Sequence, residues 1–132
     1  MKLTQEEIFY INKFDSITGV IARDCLIDNG IVIFLVKPEL LGKAIGRKGV
    51  KARLLAKTFG KKVEIYPYYE KIEEFIKSAF PDVAILSVDV KGNNAQIKLE
   101  SADKRKIMDQ LAKFKRIKKL VQRNYNIEDL RF

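Results

Sequence analysis

The sequence predicts an α+β fold built from two similar units, each a three-stranded sheet packed against helices. Three observations lead to it. Asp28-Asn29-Gly30 and Gly92-Asn93-Asn94 are turn sequences, and each joins two runs of strand character. Each pair of runs follows an amphipathic helical segment and precedes a basic one. A further short apolar run closes each unit, so one order of elements occurs twice in 132 residues, of which 47% are hydrophobic.

The first unit is expected over residues 1–67. Thr4-Gln5-Glu6-Glu7 has the pattern of a capping box, and Ile8, Phe9, Ile11 and Phe14 follow as an apolar stripe, which predicts a helix over residues 5–16 ending at Thr18-Gly19. Residues 20–27 read as a strand, with Cys25 as a small core residue. After the turn, residues 31–36 return as a strand apolar on both faces, hence central, and Pro38 stops it. A short helix over residues 39–45 leads to a glycine loop, and a second helix over residues 50–58 ends at Phe59-Gly60. Residues 62–66 form the third strand. Phe9, Phe14, Phe34, Phe59 and Phe75 are expected in the core.

The second unit, residues 68–132, repeats that order. Ile72, Phe75, Ile76 and Ala79 have helical spacing, and Phe80-Pro81-Asp82 breaks the helix. Strands are expected over residues 84–91 and 95–99, a basic helical stretch from Ser101 to about Arg123, and a last strand over residues 127–132. Val36 to Gly46 is ten positions (46 − 36), as is Leu99 to Asp109 (109 − 99). Gly46-Arg47-Lys48-Gly49 therefore falls over Asp109-Gln110-Leu111-Ala112, where ordinary helix is expected.

Charge is segregated along the chain. The formal net charge is +9, and between residues 43 and 62 stand Lys43, Arg47, Lys48, Lys51, Arg53, Lys57, Lys61 and Lys62 without a single Asp or Glu. A polyanionic partner suits such a surface, and a solvated helix face is the plain alternative. Within this stretch Gly46 and Gly49 bracket Arg47 and Lys48, between apolar segments that include Ile45 and Val50. Two residues without side chains let a ligand approach the main chain, and a helix starting at Val50 would direct its first N–H groups at that ligand.

Several classes of function lack their residues. There is no histidine, and one cysteine makes neither an internal disulfide nor a zinc site, so no enzyme, metal or cofactor is expected. Gly42-Lys43-Ala44-Ile45-Gly46-Arg47 does not match the nucleotide-binding Gly-x-x-x-x-Gly-Lys-Ser/Thr loop. No run of about 18 apolar residues suggests a membrane span, and the first residues lack the layout of a signal peptide, so a cytoplasmic protein is expected.

Ile45-Gly46-Arg47-Lys48-Gly49-Val50, framed by two strands before it and one after, resembles the Ile-Gly-x-x-Gly signature of KH domains. The helix and hairpin before it look like the type II arrangement. Residues 17–25, 33–36 and 60–65 further resemble the archaeal NusA-like transcription factors, which consist of two tandem KH domains. The resemblance covers essentially the whole chain. In the second half it lies mainly in element order and in Asn126-Ile127-Glu128-Asp129-Leu130, and the second Gly-x-x-Gly carried by many members is missing at residues 109–112.

The resemblance implies a protein that binds single-stranded RNA during transcription elongation or termination, through the loop and basic helices. Gly46, Arg47, Lys48 and Gly49 would clamp the sugar-phosphate chain, and Ile45 and Val50 would begin an apolar floor for bases. Lys43, Lys51 and Arg53 could add phosphate contacts. For Ile45, Val50, Val63 and Ile65, core packing is the competing role. RNA polymerase is an implied further partner, and a monomer is expected. The alternative is a scaffold whose KH folds chiefly contact RNA polymerase or a ribosomal assembly, with RNA secondary.

Overall fold

The computed structural model describes residues 3–132. The architecture is α+β with two three-stranded sheets. The chain divides into two compact units, one ending at Tyr69 and the other spanning Glu70–Phe132.

In the first unit, helix α1 (Gln5–Thr18) begins with a complete capping box. The Glu7 N–H donates to Thr4 Oγ1 at 3.1 Å, and the Thr4 N–H donates to the Glu7 carboxylate at 2.9 Å. The helix stops at Gly19, whose left-handed backbone closes the last turn onto Asp15. Its buried face is Glu7, Tyr10, Phe14 and Thr18. Phe9, expected in the core, is instead 53% exposed. Five positions separate it from Phe14, which is about 140° around an α-helix, so the two rings cannot share one face.

Strand β1 (Asp24–Asp28) starts later than the sequence suggests. It pairs antiparallel with β2 (Ile31–Val36), with Asp24 opposite Leu35. Because β2 ends at Val36, just before Pro38, residues 20–22 have no ladder to join. The Arg23 N–H reaches back, donating to Leu35 O at 2.7 Å. Val20 and Ala22 are buried nonetheless.

Strand β2 is central, flanked by β1 and by β3 (Lys62–Pro67), which runs parallel to it. Parallel neighbours require a crossover. Here it consists of a 3-10 turn (Pro38–Leu40), helix α2 (Leu41–Ile45), a second 3-10 turn (Arg47–Gly49) and helix α3 (Val50–Phe59). Phe14 stacks on Phe34 with ring centroids 4.2 Å apart, and Tyr10 meets Phe59 edge-on at 4.8 Å. Cys25, Val32, Val36, Ala44 and Leu55 complete that core. The glycine loop is thus held at the middle of a crossover whose two helices both face a packed interior.

The second unit repeats this topology: α4 (Ile72–Ala79), β4 (Ser87–Lys91), β5 (Asn94–Lys98), α5 (Ser101–Met108), α6 (Leu111–Asn124) and β6 (Asp129–Arg131). Strand β5 is central, antiparallel to β4 and parallel to β6. Residues 109–112, expected as ordinary helix, contain a break, with Gln110 at φ −129° and ψ 44°. Phe75, Ile76, Phe80, Ile107, Ile117 and Leu120 are buried. No helix among the described residues is long and apolar enough to cross a membrane.

Candidate nucleic-acid interface

Helix α2 ends at Gly46, where φ 80° and ψ 167° place the backbone beyond the reach of an ordinary L-residue. A single 3-10 turn follows, closed by the Gly49 N–H donating to Gly46 O at 3.0 Å. Lys48 at φ 56° and Gly49 at φ 74° are both left-handed. The chain then enters α3 at once. Arg47 and Lys48 project from the tip as exposed side chains. Among the described residues neither forms an ion pair. The Val50 N–H donates to Arg47 O, so the turn runs into α3 without a gap, and the positive end of the α3 dipole lies behind the tip. Two uncompensated cations over a helix start make a local field suited to phosphate.

The other cations expected here are placed differently. The Lys43 ammonium donates to Gly19 O and the Lys51 ammonium to Thr18 O, each at 3.3 Å. Arg53 folds back from α3, and its Nη1 donates to Lys48 O. All three lie around the loop, and all three hold backbone carbonyls.

The apolar residues also separate. Val63 and Ile65 are half-buried and pack against the core of the first unit. Ile45 is half-buried, whereas Val50 is 53% exposed. Leu54, which the sequence reading did not single out, is 48% exposed one turn beyond Val50. On α3, Val50 and Leu54 stand at i and i+4 with the exposed Arg53 and Lys57 beside them, so the face mixes apolar surface with positive charge. Counting α3 in steps of four from Val50 would have found Leu54 in the sequence.

The equivalent turn of the second unit carries Asp109 and Gln110. The Gln110 amide donates to the Asp82 carboxylate at 3.1 Å and to Lys106 O at 3.1 Å, so a neutral side chain ties this turn in place. An open depression of about 350 Å³ on the second sheet is lined by Asp89, Lys91, Asn94, Gln96, Lys98 and Arg131, none of them a residue of the predicted site. Among the described residues no group of three or more His, Cys, Asp or Glu side chains could hold a metal ion.

Over 91 residues the chain is 36% identical to the probable transcription termination protein NusA of Methanocaldococcus jannaschii, covering 69% of this chain and 50% of that one. It is 34% identical, again over 91 residues, to the probable transcription termination protein NusA of Methanococcus vannielii, covering 69% and 53%. The chain is similar to archaeal NusA proteins. It spans about half the length of these two relatives. The NusA-named protein of Halococcus morrhuae matches over 97% of this chain and 95% of its own length, at 23% identity. The crystal structure of APE1850 superposes with a TM-score of 0.85 at 35% identity, covering 97% of this chain and 98% of that one. No family model matches the chain.

Proposed function

We propose that this protein is a NusA-like factor that binds nascent single-stranded RNA in transcription elongation or termination. In this reading the two units are tandem type II KH domains, residues 1–67 and 68–132, and only the first retains a nucleotide clamp. Gly46, Arg47, Lys48 and Gly49 grip the sugar-phosphate chain. Ile45 and Val50, extended by Leu54, offer the bases an apolar floor, and Lys43, Lys51 and Arg53 surround the loop. The protein acts as a monomer in the cytoplasm, beside RNA polymerase. The observation that carries the reading is the left-handed turn at Lys48 and Gly49, which presents two unpaired cations at the start of α3. The similarity to NusA-named proteins supports the process in which the RNA is met.

The test is the double variant Arg47→Asp with Lys48→Asp, titrated against a short fluorescent single-stranded RNA. Its circular dichroism should match the parent, and most of the affinity should disappear. In the parent, each phosphate contact contributes roughly 0.7 to the slope of log affinity against log salt. Unchanged affinity in a folded variant would sink the clamp.

That outcome would favour the scaffold reading, for which α1 supplies a specific observation. Ile8 and Phe9 are 45% and 53% exposed on the side of the helix turned away from its core face. Exposed apolar side chains mark a protein contact when they join into a patch, and Ile8 and Phe9 are the exposed large apolar side chains that α1 offers for one.

A further inference from the structure

The glycine turn has almost no side chain of its own to pack, so something else must hold its shape. Lys51 does this from α3. Its side chain crosses directly over Gly46, and its ammonium donates to Thr18 O, the carbonyl of the last residue of α1. Lys43 makes the matching tie from α2, donating to Gly19 O with its Cε and Nζ against that glycine. Helix α1 has no basic residue in its own last turn. Its final carbonyls lack intrahelical donors and carry the negative end of the helix dipole, so cations from the next two helices complete them.

We infer that Lys51 and Lys43 are positioning residues. They fasten the glycine turn to the carboxyl end of α1, while Arg47 and Lys48 carry the phosphate contacts. The geometry stands alone, and its consequence for RNA rests on the clamp reading above. Lys51 is the stronger of the two ties, because it is half-buried and less screened than the exposed Lys43.

Lys51→Met separates the roles, since it keeps the methylenes over Gly46 and removes the donor, and Lys51→Arg returns a donor. Two readouts are needed: amide hydrogen exchange at Gly49 in the free protein, and affinity for a labelled single-stranded RNA of about ten nucleotides across a salt series. With Lys51→Met, Gly49 exchange should rise about tenfold, and RNA affinity should fall by a similar factor at an unchanged salt slope. Lys51→Arg should restore both. A slope lower by roughly 0.7 in Lys51→Met would make Lys51 a phosphate ligand and overturn the inference, whatever the exchange does. Unchanged Gly49 exchange would also overturn it. If the parent protein binds no RNA, the clamp reading fails and the exchange rate alone decides: faster exchange keeps the tie, an unchanged rate removes it.

Discussion

Gly46 and Lys51 occupy each other's space: a Cβ on residue 46 would lie 2.8 Å from Lys51 Cγ and 3.0 Å from the Lys51 backbone nitrogen. The side chain can swing aside, but the nitrogen belongs to the first turn of α3 and cannot move without unwinding it. Gly46→Ala should therefore cost about 2–3 kcal/mol in urea denaturation, through contact and backbone strain together. At Gly49 a Cβ would meet only Arg53 Nη1, the end of a flexible side chain, at 3.2 Å. Gly49→Ala should cost about 1 kcal/mol, the left-handed penalty alone. Equal losses at the two positions would count against this account.

Lys48 is the one non-glycine residue of the tip held at positive φ, at 56°. The conformation costs a long side chain about 1–2 kcal/mol, partly offset by the lower unfolded-state entropy of lysine relative to glycine. Lys48→Gly should leave stability unchanged or raise it by up to about 1 kcal/mol. In the clamp reading it should nevertheless weaken RNA binding and reduce the salt slope by roughly 0.7. Thermal melts and anisotropy on the same samples check both halves, and a marked loss of stability would show that the strain argument is wrong.

The order of elements was legible because its signals are local. Asn29-Gly30 sets the first hairpin, Pro38 ends β2, and Gly19 and Gly60 stop their helices within the segments they belong to. Faces were harder to read. Helix α1 has apolar side chains around much of its circumference, so Phe9 could be assigned to the core only by guessing which stripe faces inward. The start of β1 depended on where its partner ended. The ties of Lys43 and Lys51 bridge separations of 24 and 33 residues and leave no periodic trace. From sequence, these lysines looked the same as Arg47 and Lys48, because a cation shows its charge there but not its acceptor.

Neighbouring leucines on α3 provide a sharp contrast. Leu55 is fully buried under the sheet, whereas Leu54 is 48% exposed. Leu55→Ala should cost about 2–5 kcal/mol of stability. Leu54→Ala should cost less than about 0.5 kcal/mol, as expected for a surface site. In the clamp reading Leu54→Ala weakens RNA binding with no change in the salt slope, because it removes apolar surface and no charge. Denaturation and RNA titration of the pair would show it, and a Leu54 variant with parental affinity would remove that residue from the floor.

Acid should weaken the second unit through two carboxylates. Glu73 is held below its ordinary value of 4.5, first by the Val88 N–H that donates to it at 2.9 Å and then by Lys77. Asp129 is held below 3.8, first by the hydrogen bond from Lys118 at 2.8 Å and then by Arg131. A depressed pKa means that the unfolded chain binds more protons than the folded one within the window between the two values. The contribution of each group is thus present in full above the unfolded value and is lost as pH falls through the folded one. Glu73→Gln cannot ionise, so its melting temperature should lie below the parent's at pH 7. The two should converge as the pH drops well below 4.5 and the parent's carboxylate becomes neutral. Lys118→Met should behave the same way through Asp129. A gap that stays constant down to strongly acid pH would mean that Glu73 and Lys118 act by packing alone, because only the loss of an ionised partner can close it.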